Sequence, residues 1–409
     1  MIKIWTDAAE AGRLERFGGH GSTFAYLPGV APVREVSLTM PVRLESWSTD
    51  HGLLPIFEMN LPEGALRERL RLAFAKATGR FDEVDLLGIV GRSQIGRIRF
   101  TGDNEDLMEE VPFQSVDEIL DRRRDGDLFR FLLERFASYS GISGVQPKVL
   151  LRDEHAFGAR EANGPRLSQS FRGATHIVKL WDPNEYPQLA ANEFFCLTAA
   201  RACGLDVPPF RLAEDGMALV IDRFDLRPDG TYRGFEDFCV LNARKTEDKY
   251  RGSIETSIIK RFQQFSSLAH LNEDLEKLFT LIALNSALRN GDAHLKNFGV
   301  VYDDMNAEIR LAPVYDLVTT TVYLPKDGMA LTLGGSTRWP SAKELGRLGE
   351  TRLGCSPARV RQILRRIEDA MAETACSVDA YIRQQPRFAQ IGDRLLNEWK
   401  MGTETSLKF

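Results

Sequence analysis

The sequence has few cysteines, and none has metal-binding spacing. The five cysteines form an odd number, and no two stand in a CxxC pair. This argues against a structural zinc site and against a disulfide framework, and it indicates a reducing compartment. Cys196 and Cys203 fall in an apolar stretch predicted to be helical, so we interpret them as small core residues.

Long apolar runs and a basic surplus are also missing. No run of about 18 apolar residues is present, so no membrane span is expected. The first residues lack the apolar core of a signal peptide, and we therefore expect a cytoplasmic protein. The formal net charge of −5 argues against broad electrostatic attraction to DNA or RNA, although it leaves room for a local basic patch.

The sequence does contain enough apolar material for a packed core. Of its 409 residues, 43% are hydrophobic and 27% are charged. Strand-like runs at 24–27, 35–38 and 97–100 and a helical pattern over 63–77 indicate a mixed N-terminal module. Strand patterns precede helical ones along the rest of the chain. We therefore predict an α+β fold with three parts, residues 1–103, 104–225 and 226–409.

Further elements follow from periodicity and turn residues. Strands are predicted over 149–152, 175–180 and 217–224, a helix over 188–203, a hairpin over 298–312 and helices from 357 onwards. Leu275, Leu278 and Ile282 share one face of another predicted helix, for which Asn272 or Asp274 would be the cap.

The strongest chemical signal is the segment 290–297, NGDAHLKN. Asp292 and Asn297 have the spacing at which kinases place a base carboxylate and a metal-binding amide. The carboxylate can accept the acceptor's hydroxyl proton, the amide can bind Mg²⁺ without adding charge, and Lys296 can neutralise phosphate charge. The predicted hairpin then returns Asp316 to the same place, where its oxygens suit Mg²⁺. Each residue alone is more typical of a surface turn or a helix cap, but the ordered set favours a kinase.

A lysine on an otherwise apolar strand needs an anionic partner. Lys179 lies inside the run 176–180, where ATP phosphates would supply that partner; an edge-strand lysine facing solvent is the alternative. Glu193, in the next predicted helix, could pair with Lys179 as the helix glutamate of kinases does. It could equally face solvent or cap a neighbouring backbone.

Two weaker features could complete a nucleotide site. The small-residue loop 140–144, followed by Gln146 and Lys148, can offer N–H groups to phosphates, but it lacks the GxGxxG and GxxxxGK[ST] patterns and is equally a plain turn. The strand that ends near Asp222 and Phe224 stands where a kinase hinge presents backbone groups to adenine. A generic strand end is the alternative there.

Together these segments resemble the HipA-like serine/threonine kinase toxins of bacterial toxin–antitoxin systems. The resemblance covers nearly the whole chain and rests on segments in the family's order: 57–63 (FEMNLPE), 85–96, 141–148 (GISGVQPK), 175–179 (THIVK), 192–196 (NEFFC), 291–298 (GDAHLKNF) and 313–316 (PVYD). It implies a two-lobed, protein-kinase-like fold with a β-rich N-terminal subdomain and a mainly helical C-terminal lobe. It also implies ATP and Mg²⁺ as cofactors.

The resemblance implies roles at the matched positions. Asp292 would be the catalytic base, Asn297 and Asp316 would bind Mg²⁺, and Lys179 would contact the ATP phosphates. Asp222 and Phe224 would hold adenine through their backbone groups. The other nucleotide contacts would come from the phosphate loop and the catalytic segment, namely Ser143, Gly144, Val145, Gln146, Lys148, His294, Lys296 and Tyr315.

The family also autophosphorylates on a serine of the phosphate loop, which shuts the kinase off because the added charge opposes ATP binding. Some members carry this serine at the position of Gly141, and others carry a second one at the position of Ser143. This chain keeps only the latter, so Ser143 is the predicted site. Ser140, just before the motif, is the alternative.

Partners are implied as well. Members typically inhibit translation by phosphorylating an aminoacyl-tRNA synthetase, and a helix-turn-helix antitoxin of the HipB type holds them and binds operator DNA. DNA contact would then be indirect, in agreement with the acidic net charge. Since residues 1–103 are fused to the kinase here, an inhibitory or docking role of that subdomain would be internal.

Three hypotheses are compatible with these patterns. The chain is an active protein kinase toxin, a kinase-like scaffold in an antitoxin–DNA complex, or a kinase for a small molecule or lipid. The complete set of Lys179, Asp292, Asn297 and Asp316 favours an active enzyme, since a binding module would not need all four.

Overall fold

Strands dominate the first part of the chain and helices the last, as in the two-lobed α+β fold expected from the sequence. The computed structural model describes residues 1–78, 81–121, 128–153, 155, 167, 171–181 and 185–409. Its strands are β1 Ile2–Thr6, β2 Ala9–Phe17, β3 Gly21–Tyr26, β4 Trp47–Thr49, β5 Ile98–Gly102, β6 Lys148–Leu151, β7 His176–Leu180, β8 Phe210–Leu212, β9 Ala218–Asp222, β10 Gly234–Asp237, β11 Gly299–Tyr302 and β12 Arg310–Leu311.

The helices connect and cover the sheets that these strands form. They are α1 Pro55–Glu58, α2 Gly64–Thr78, α3 Glu83–Val90, α4 Val116–Leu120, α5 Leu128–Phe136, α6 Leu189–Ala202, α7 Phe238–Leu241, α8 Lys260–Phe265, α9 Leu271–Ala287, α10 Ala342–Arg352, α11 Pro357–Gln384 and α12 Ala389–Ser406. Within the described part of the chain, each helix is too short or too polar to cross a bilayer.

The first sheet is antiparallel, in the order β4-β3-β2-β1-β5. Its inward face buries Phe24 and Phe100, and Phe57 of α1 packs edge-on against both rings, with centroids 5.1 and 5.8 Å away. Strands β3 and β5 confirm the predictions at 24–27 and 97–100. The strand predicted at 35–38 is wrong: the N–H of Val36 bonds to the Tyr26 hydroxyl at 2.9 Å, so its backbone is held by a side chain instead of a neighbouring strand.

The second sheet is also antiparallel, in the order β6-β7-β9-β8, and its three longer strands are buried along their whole length. Here the predicted strands and the helix α6 are confirmed, with small shifts at their ends. In the register of β6 and β7, Lys148 lies opposite Lys179. The sheet therefore places two buried lysines side by side.

The C-terminal lobe is built around α9, which packs against α11 and α12. The predicted hairpin and the predicted C-terminal helices are confirmed, and α10 is an additional helix. The predicted cap residues of α9 are wrong, because the helix already begins at Leu271. Asp274 instead lies within the helix, where it accepts hydrogen bonds from Arg310 Nε at 2.8 Å and from the Leu311 N–H at 3.2 Å. This contact fixes the hairpin against the first turn of α9.

Candidate active site

Three charged side chains from separate elements meet beside the second sheet. Lys179 projects from β7, and its ammonium lies 2.5 Å from Oε1 of Glu193 in α6. The same ammonium contacts Oδ1 of Asp316, which follows the hairpin. The side chains of Lys179 and Glu193 are only 3% and 0% exposed, so each charge needs the other as a partner. The structure thus brings together the lysine and the glutamate that the sequence suggested as a pair.

Asp316 carries the negative charge that faces the cavity. Its backbone has a φ of +51°, a left-handed conformation that is uncommon for a residue with a side chain. Burial alone would raise the pKa of Asp316, but Lys148, at 3.5 Å, and Lys179 outweigh it and hold this pKa well below its usual range. Asp316 is therefore an ionised carboxylate that two lysines support.

The loop that carries Asp292 is shaped by its own side chains. Oδ1 of Asn290 accepts the Asp292 N–H at 3.1 Å, and Nδ2 of Asn297 donates to the Asp292 carbonyl at 2.8 Å. The Asp292 carboxylate accepts a hydrogen bond of 2.6 Å from the hydroxyl of Tyr250. Loss of water in the cleft raises the pKa of Asp292, and Tyr250 opposes that rise. A raised pKa makes this carboxylate a stronger base.

His294 and Lys296 extend inward from the same segment. His294 is buried, and its Nδ1 has no hydrogen-bond partner among the described residues. Burial, together with Lys249 and Lys296, lowers the pKa of His294 to about 3, so the imidazole is neutral. The ammonium of Lys296 donates to Oδ2 of Asp237 at 2.9 Å and to the Met59 carbonyl at 2.7 Å. The lysine proposed to neutralise phosphate is thus already paired within the protein, as a buried charge requires.

Aromatic side chains form another part of the wall. The rings of Phe224 and Tyr315 are stacked, with an interplanar angle of 15° and centroids 5.9 Å apart, and Phe235 packs edge-on against both. Such a flat apolar surface suits an aromatic base. Asp222 does not line the cavity, and its backbone N–H donates to the Pro209 carbonyl at 2.9 Å. The structure therefore brings Phe224 to the cavity but leaves Asp222 behind its wall.

The predicted phosphate loop lies in the same wall. Of the two candidate serines, Ser143 reaches the cavity, where its hydroxyl donates to Oε1 of Glu63 at 2.6 Å. Ser140 is fully buried: its hydroxyl donates to the Phe136 carbonyl at 2.7 Å and accepts the Leu150 N–H at 2.9 Å. The other predicted loop residues also line the cavity, namely Gly144, Val145, Gln146 and Lys148.

These groups surround a cavity of about 420 Å³. That volume lies in the range of small-molecule sites, roughly 300–1,000 Å³. Lys179, Asp292, Asn297 and Asp316 all lie in its wall. The cavity therefore places a candidate base, an amide and a lysine-supported carboxylate around one space.

Asn297 and Asp316 are the residues that could hold a divalent cation. The amide nitrogen of Asn297 is bonded to the Asp292 carbonyl, which leaves its Oδ1 as the atom available for a metal. Two hard oxygens suit Mg²⁺, which keeps water and phosphate oxygens as its remaining ligands. Among the described residues, no group of three His, Cys, Asp or Glu could hold a metal.

Sequence reasoning missed several residues that contact the site. They are Glu63, Phe235, Asp237, Lys249 and Tyr250. Glu63 stands in the segment 57–63 that carried part of the resemblance, so a signal for it was present. The other four lie in segments without a chemical pattern, and only tertiary packing brings them to the cavity.

Comparisons with known proteins identify the family to which this chain is similar. The family model of the HipA-like C-terminal domain matches residues 140–375, and that of the HipA N-terminal domain matches residues 2–101. Two relatives from Sinorhizobium fredii are named as kinases. Y4mE is 29% identical over 360 residues, which cover 82% of this chain and 81% of the relative. Y4dM is 27% identical over 360 residues, which cover 83% of this chain and 80% of the relative.

A solved structure shares the fold over almost the entire length. It is the complex of HipA, HipB and operator DNA from the toxin–antitoxin system of Shewanella oneidensis MR-1. The TM-score is 0.60 at 19% identity, and the match covers 98% of this chain and 97% of that one.

Proposed function

We propose, from the fact that this chain belongs to the HipA-like family, that it is an ATP- and Mg²⁺-dependent serine/threonine protein kinase and the toxin of a toxin–antitoxin system. Kinase names among its relatives support the reaction class. The serine/threonine specificity and the role as a toxin are extensions of the family resemblance.

One observation carries the proposal. Lys179 forms ion pairs with both Glu193 and Asp316 in the wall of the cavity, and Asp292 and Asn297 lie in the same wall. Kinases need this combination, since the lysine binds phosphates, the two oxygen ligands hold the metal and the separate carboxylate accepts a proton. A fold that needed only to bind a partner would have no reason to bury such a costly set of charges together.

Each side chain has a defined task in this proposal. Lys179, oriented by Glu193, binds the phosphates of ATP. Asn297 and Asp316 hold Mg²⁺, which when bound offsets the phosphate charge. Asp292 accepts the proton of the acceptor hydroxyl, and its raised pKa favours that step. The ring of Phe224 contributes to the adenine side of the cavity.

We also propose that the kinase modifies itself at Ser143. This hydroxyl lies at the cavity, whereas Ser140 is buried and bonded at both its donor and its acceptor positions. A phosphate on Ser143 would put about two negative charges in the phosphate loop and oppose ATP binding.

The proposed partners follow from family membership. In the Shewanella oneidensis complex, HipA is assembled with HipB and operator DNA. We propose a HipB-type helix-turn-helix antitoxin for this chain, with operator DNA held through that partner. An aminoacyl-tRNA synthetase is the proposed protein substrate, and its phosphorylation would inhibit translation.

Purified protein mixed with γ-labelled ATP, Mg²⁺ and cell lysate tests the reaction class. The proposal expects label on proteins, on serine or threonine. Label on a small molecule or lipid alone would show a different acceptor class. ATP binding without any labelled product would show a scaffold instead of an enzyme.

A further inference from the structure

The phosphate loop is held by the N-terminal subdomain as well as by its own sheet. Glu63 lies directly before α2 and belongs to that subdomain. Its Oε1 accepts hydrogen bonds from the Ser143 hydroxyl at 2.6 Å and from the Gly144 N–H at 3.1 Å. Its Oε2 accepts one from the ammonium of Lys249 at 2.8 Å. One carboxylate thus joins the subdomain, the phosphate loop and the C-terminal lobe.

The charge of Glu63 suits this position. Burial opposes ionisation, but Lys249 and Ser143 outweigh it and lower the pKa of Glu63 to about 2. Its side chain is 19% exposed and that of Lys249 is 10% exposed. Hydrogen bonds to an ionised acceptor are about twice as strong as neutral ones. The contact is therefore a charged one at all ordinary pH values.

Two neighbouring contacts show that the fit is close. Gly64 has a φ of +52°, and a Cβ there would lie 2.9 Å from the Val145 carbonyl oxygen. At the start of the loop, the Gly141 N–H donates to the Ser93 carbonyl at 2.8 Å, and Gly141 forms a bridge with Gln94. The subdomain therefore contacts the loop at its first residue and again at residues 143–145.

The contact also leads toward the candidate base. Lys249, which pairs with Glu63, precedes Tyr250, and the Tyr250 hydroxyl donates to Asp292 at 2.6 Å. The carbonyl of Lys249 accepts the Leu295 N–H at 3.0 Å. Through this short segment, the side chain that holds the phosphate loop is connected to the segment that carries Asp292.

We propose that Glu63 is a positioning residue: it holds the phosphate loop in the conformation that binds nucleotide, and it restrains Ser143 from being phosphorylated. The N-terminal subdomain is then a working part of the nucleotide site. The first half of this inference concerns loop order and nucleotide affinity. The second half rests on the proposed kinase function and adds a regulatory contact to it.

Phosphorylation would release this contact by simple chemistry. Oγ of Ser143 forms a bond to the γ-phosphorus of ATP, the bond from that phosphorus to the β–γ bridging oxygen breaks, and ADP leaves with the electron pair. The hydroxyl proton passes to Asp292 as base. The phosphorylated serine no longer has the O–H that donated a hydrogen bond to Glu63, and its phosphate repels the Glu63 carboxylate. The loop can no longer return to Glu63.

Glu63→Gln tests the positioning role in the full-length protein, with Glu68→Gln as the matched control. Glu68 lies on α2 and pairs with Arg71 on the surface, away from the loop. Without nucleotide, hydrogen exchange of the amides of residues 141–146 and 148 should become faster in Glu63→Gln and stay unchanged in Glu68→Gln. The Kd for Mg-ATP should rise roughly tenfold in Glu63→Gln, as expected for losing hydrogen bonds to a charged group.

A second variant shows whether weaker Mg-ATP binding in Glu63→Gln comes from the lost contact or from a folding defect. Ser143→Ala removes one of the same bonds from the other side and should also weaken Mg-ATP binding. The double variant should lose less affinity than the sum of the two single losses, since both remove a shared contact. Unchanged exchange of the loop amides, additive losses or tighter Mg-ATP binding by Glu63→Gln would overturn the positioning role. Tighter binding would mean that Glu63 competes with the phosphates.

The regulatory half has its own readout. At saturating Mg-ATP, mass spectrometry should find faster phosphorylation of Ser143 in Glu63→Gln than in the wild type, while Glu68→Gln matches the wild type. An equal or slower rate would refute the restraint. If no phosphate appeared on Ser143 in any of the three proteins, the proposed self-modification would fail. The exchange and affinity measurements would still decide the positioning role, and the labelling of lysate proteins would still decide the kinase function.

Discussion

Lys179 shows how one side chain can serve both stability and chemistry. It is buried between Glu193 and Asp316, so its charge is compensated before any ligand arrives. The compensation has a structural cost, since removing Lys179 leaves the fully buried Glu193 without the partner of its charge, whereas Asp316 keeps Lys148. In the proposed kinase, Lys179 would affect both folding and nucleotide binding, and two separate measurements distinguish these effects.

Lys179→Met should lower the free energy of unfolding by roughly 3–5 kcal/mol, because Glu193 is left buried without its partner. The double variant Lys179→Met/Glu193→Gln should recover much of that loss, since the buried charge has been removed as well. Neither protein should bind Mg-ATP. Urea unfolding and isothermal titration measure the two quantities. A single variant as stable as the wild type would show that the pair contributes nothing to folding.

At the scale of elements, the phosphate loop depends on close backbone approach. A Cβ at Gly141 would lie 2.4 Å from Cγ of Gln94 and 2.6 Å from the Ser93 carbonyl oxygen. This explains why a serine at this position, which some family members carry, does not fit here without a shift. By contrast, a Cβ at Gly19 would meet nothing within 4 Å.

Gly141→Ala should therefore destabilise the protein by about 1–3 kcal/mol, the usual cost of an overpacked contact. It should also weaken Mg-ATP binding, because the loop must move away from residues 93 and 94. Gly19→Ala is the control and should change neither quantity. Thermal unfolding together with nucleotide titration provides the test, and equal behaviour of the two variants would contradict the account.

Element prediction succeeded where local pattern and burial agree. Strand β7 and helix α6 were predictable because their apolar runs and stop signals match their buried positions. The strand prediction at 35–38 failed because the backbone N–H of Val36 bonds to the Tyr26 hydroxyl instead of to a neighbouring strand. No local sequence pattern reveals that contact. Asp274 looked like a helix cap, but a distant arginine, Arg310, determines its role.

At the scale of the whole molecule, polar contacts join the N-terminal subdomain to the C-terminal lobe. Glu236 of β10 accepts hydrogen bonds from the Ser37 hydroxyl at 2.7 Å and the Leu38 N–H at 2.8 Å, both in the subdomain. The Tyr302 hydroxyl donates to it at 2.7 Å from β11. Burial raises the pKa of Glu236 to about 7, although these donors and Arg97 oppose the rise.

This junction should make stability depend on pH. Between the ordinary pKa of 4.5 and about 7, the folded protein holds the proton of Glu236 more tightly than the unfolded chain does. The free energy of unfolding therefore falls as pH rises through that window, by up to about 3 kcal/mol. Glu236→Gln cannot titrate, so the wild type should lose stability relative to this variant from pH 4.5 to pH 7. A difference that does not change with pH would contradict the assignment.

The site shows the same division between local and distant information. Asp292, Asn297 and Asp316 were found because their order and spacing lie in a short stretch of chain. Glu63 and Tyr250 come from distant segments. Glu63 reaches the cavity because the subdomain packs against the rest of the protein, and Tyr250 reaches it through the folding of the C-terminal lobe itself. Spacing can thus indicate a reaction, while the contacts that position the reacting groups depend on the folded chain.

The most direct test of the kinase assignment is transfer of the γ-phosphate of ATP to protein by the wild type and by Asp292→Asn. The variant keeps the size of the side chain and the acceptor for the Tyr250 hydroxyl, but it cannot take a proton. The account predicts that Asp292→Asn binds Mg-ATP with nearly unchanged affinity, fails to label protein and no longer arrests growth when expressed. Undiminished labelling by Asp292→Asn would contradict the central claim.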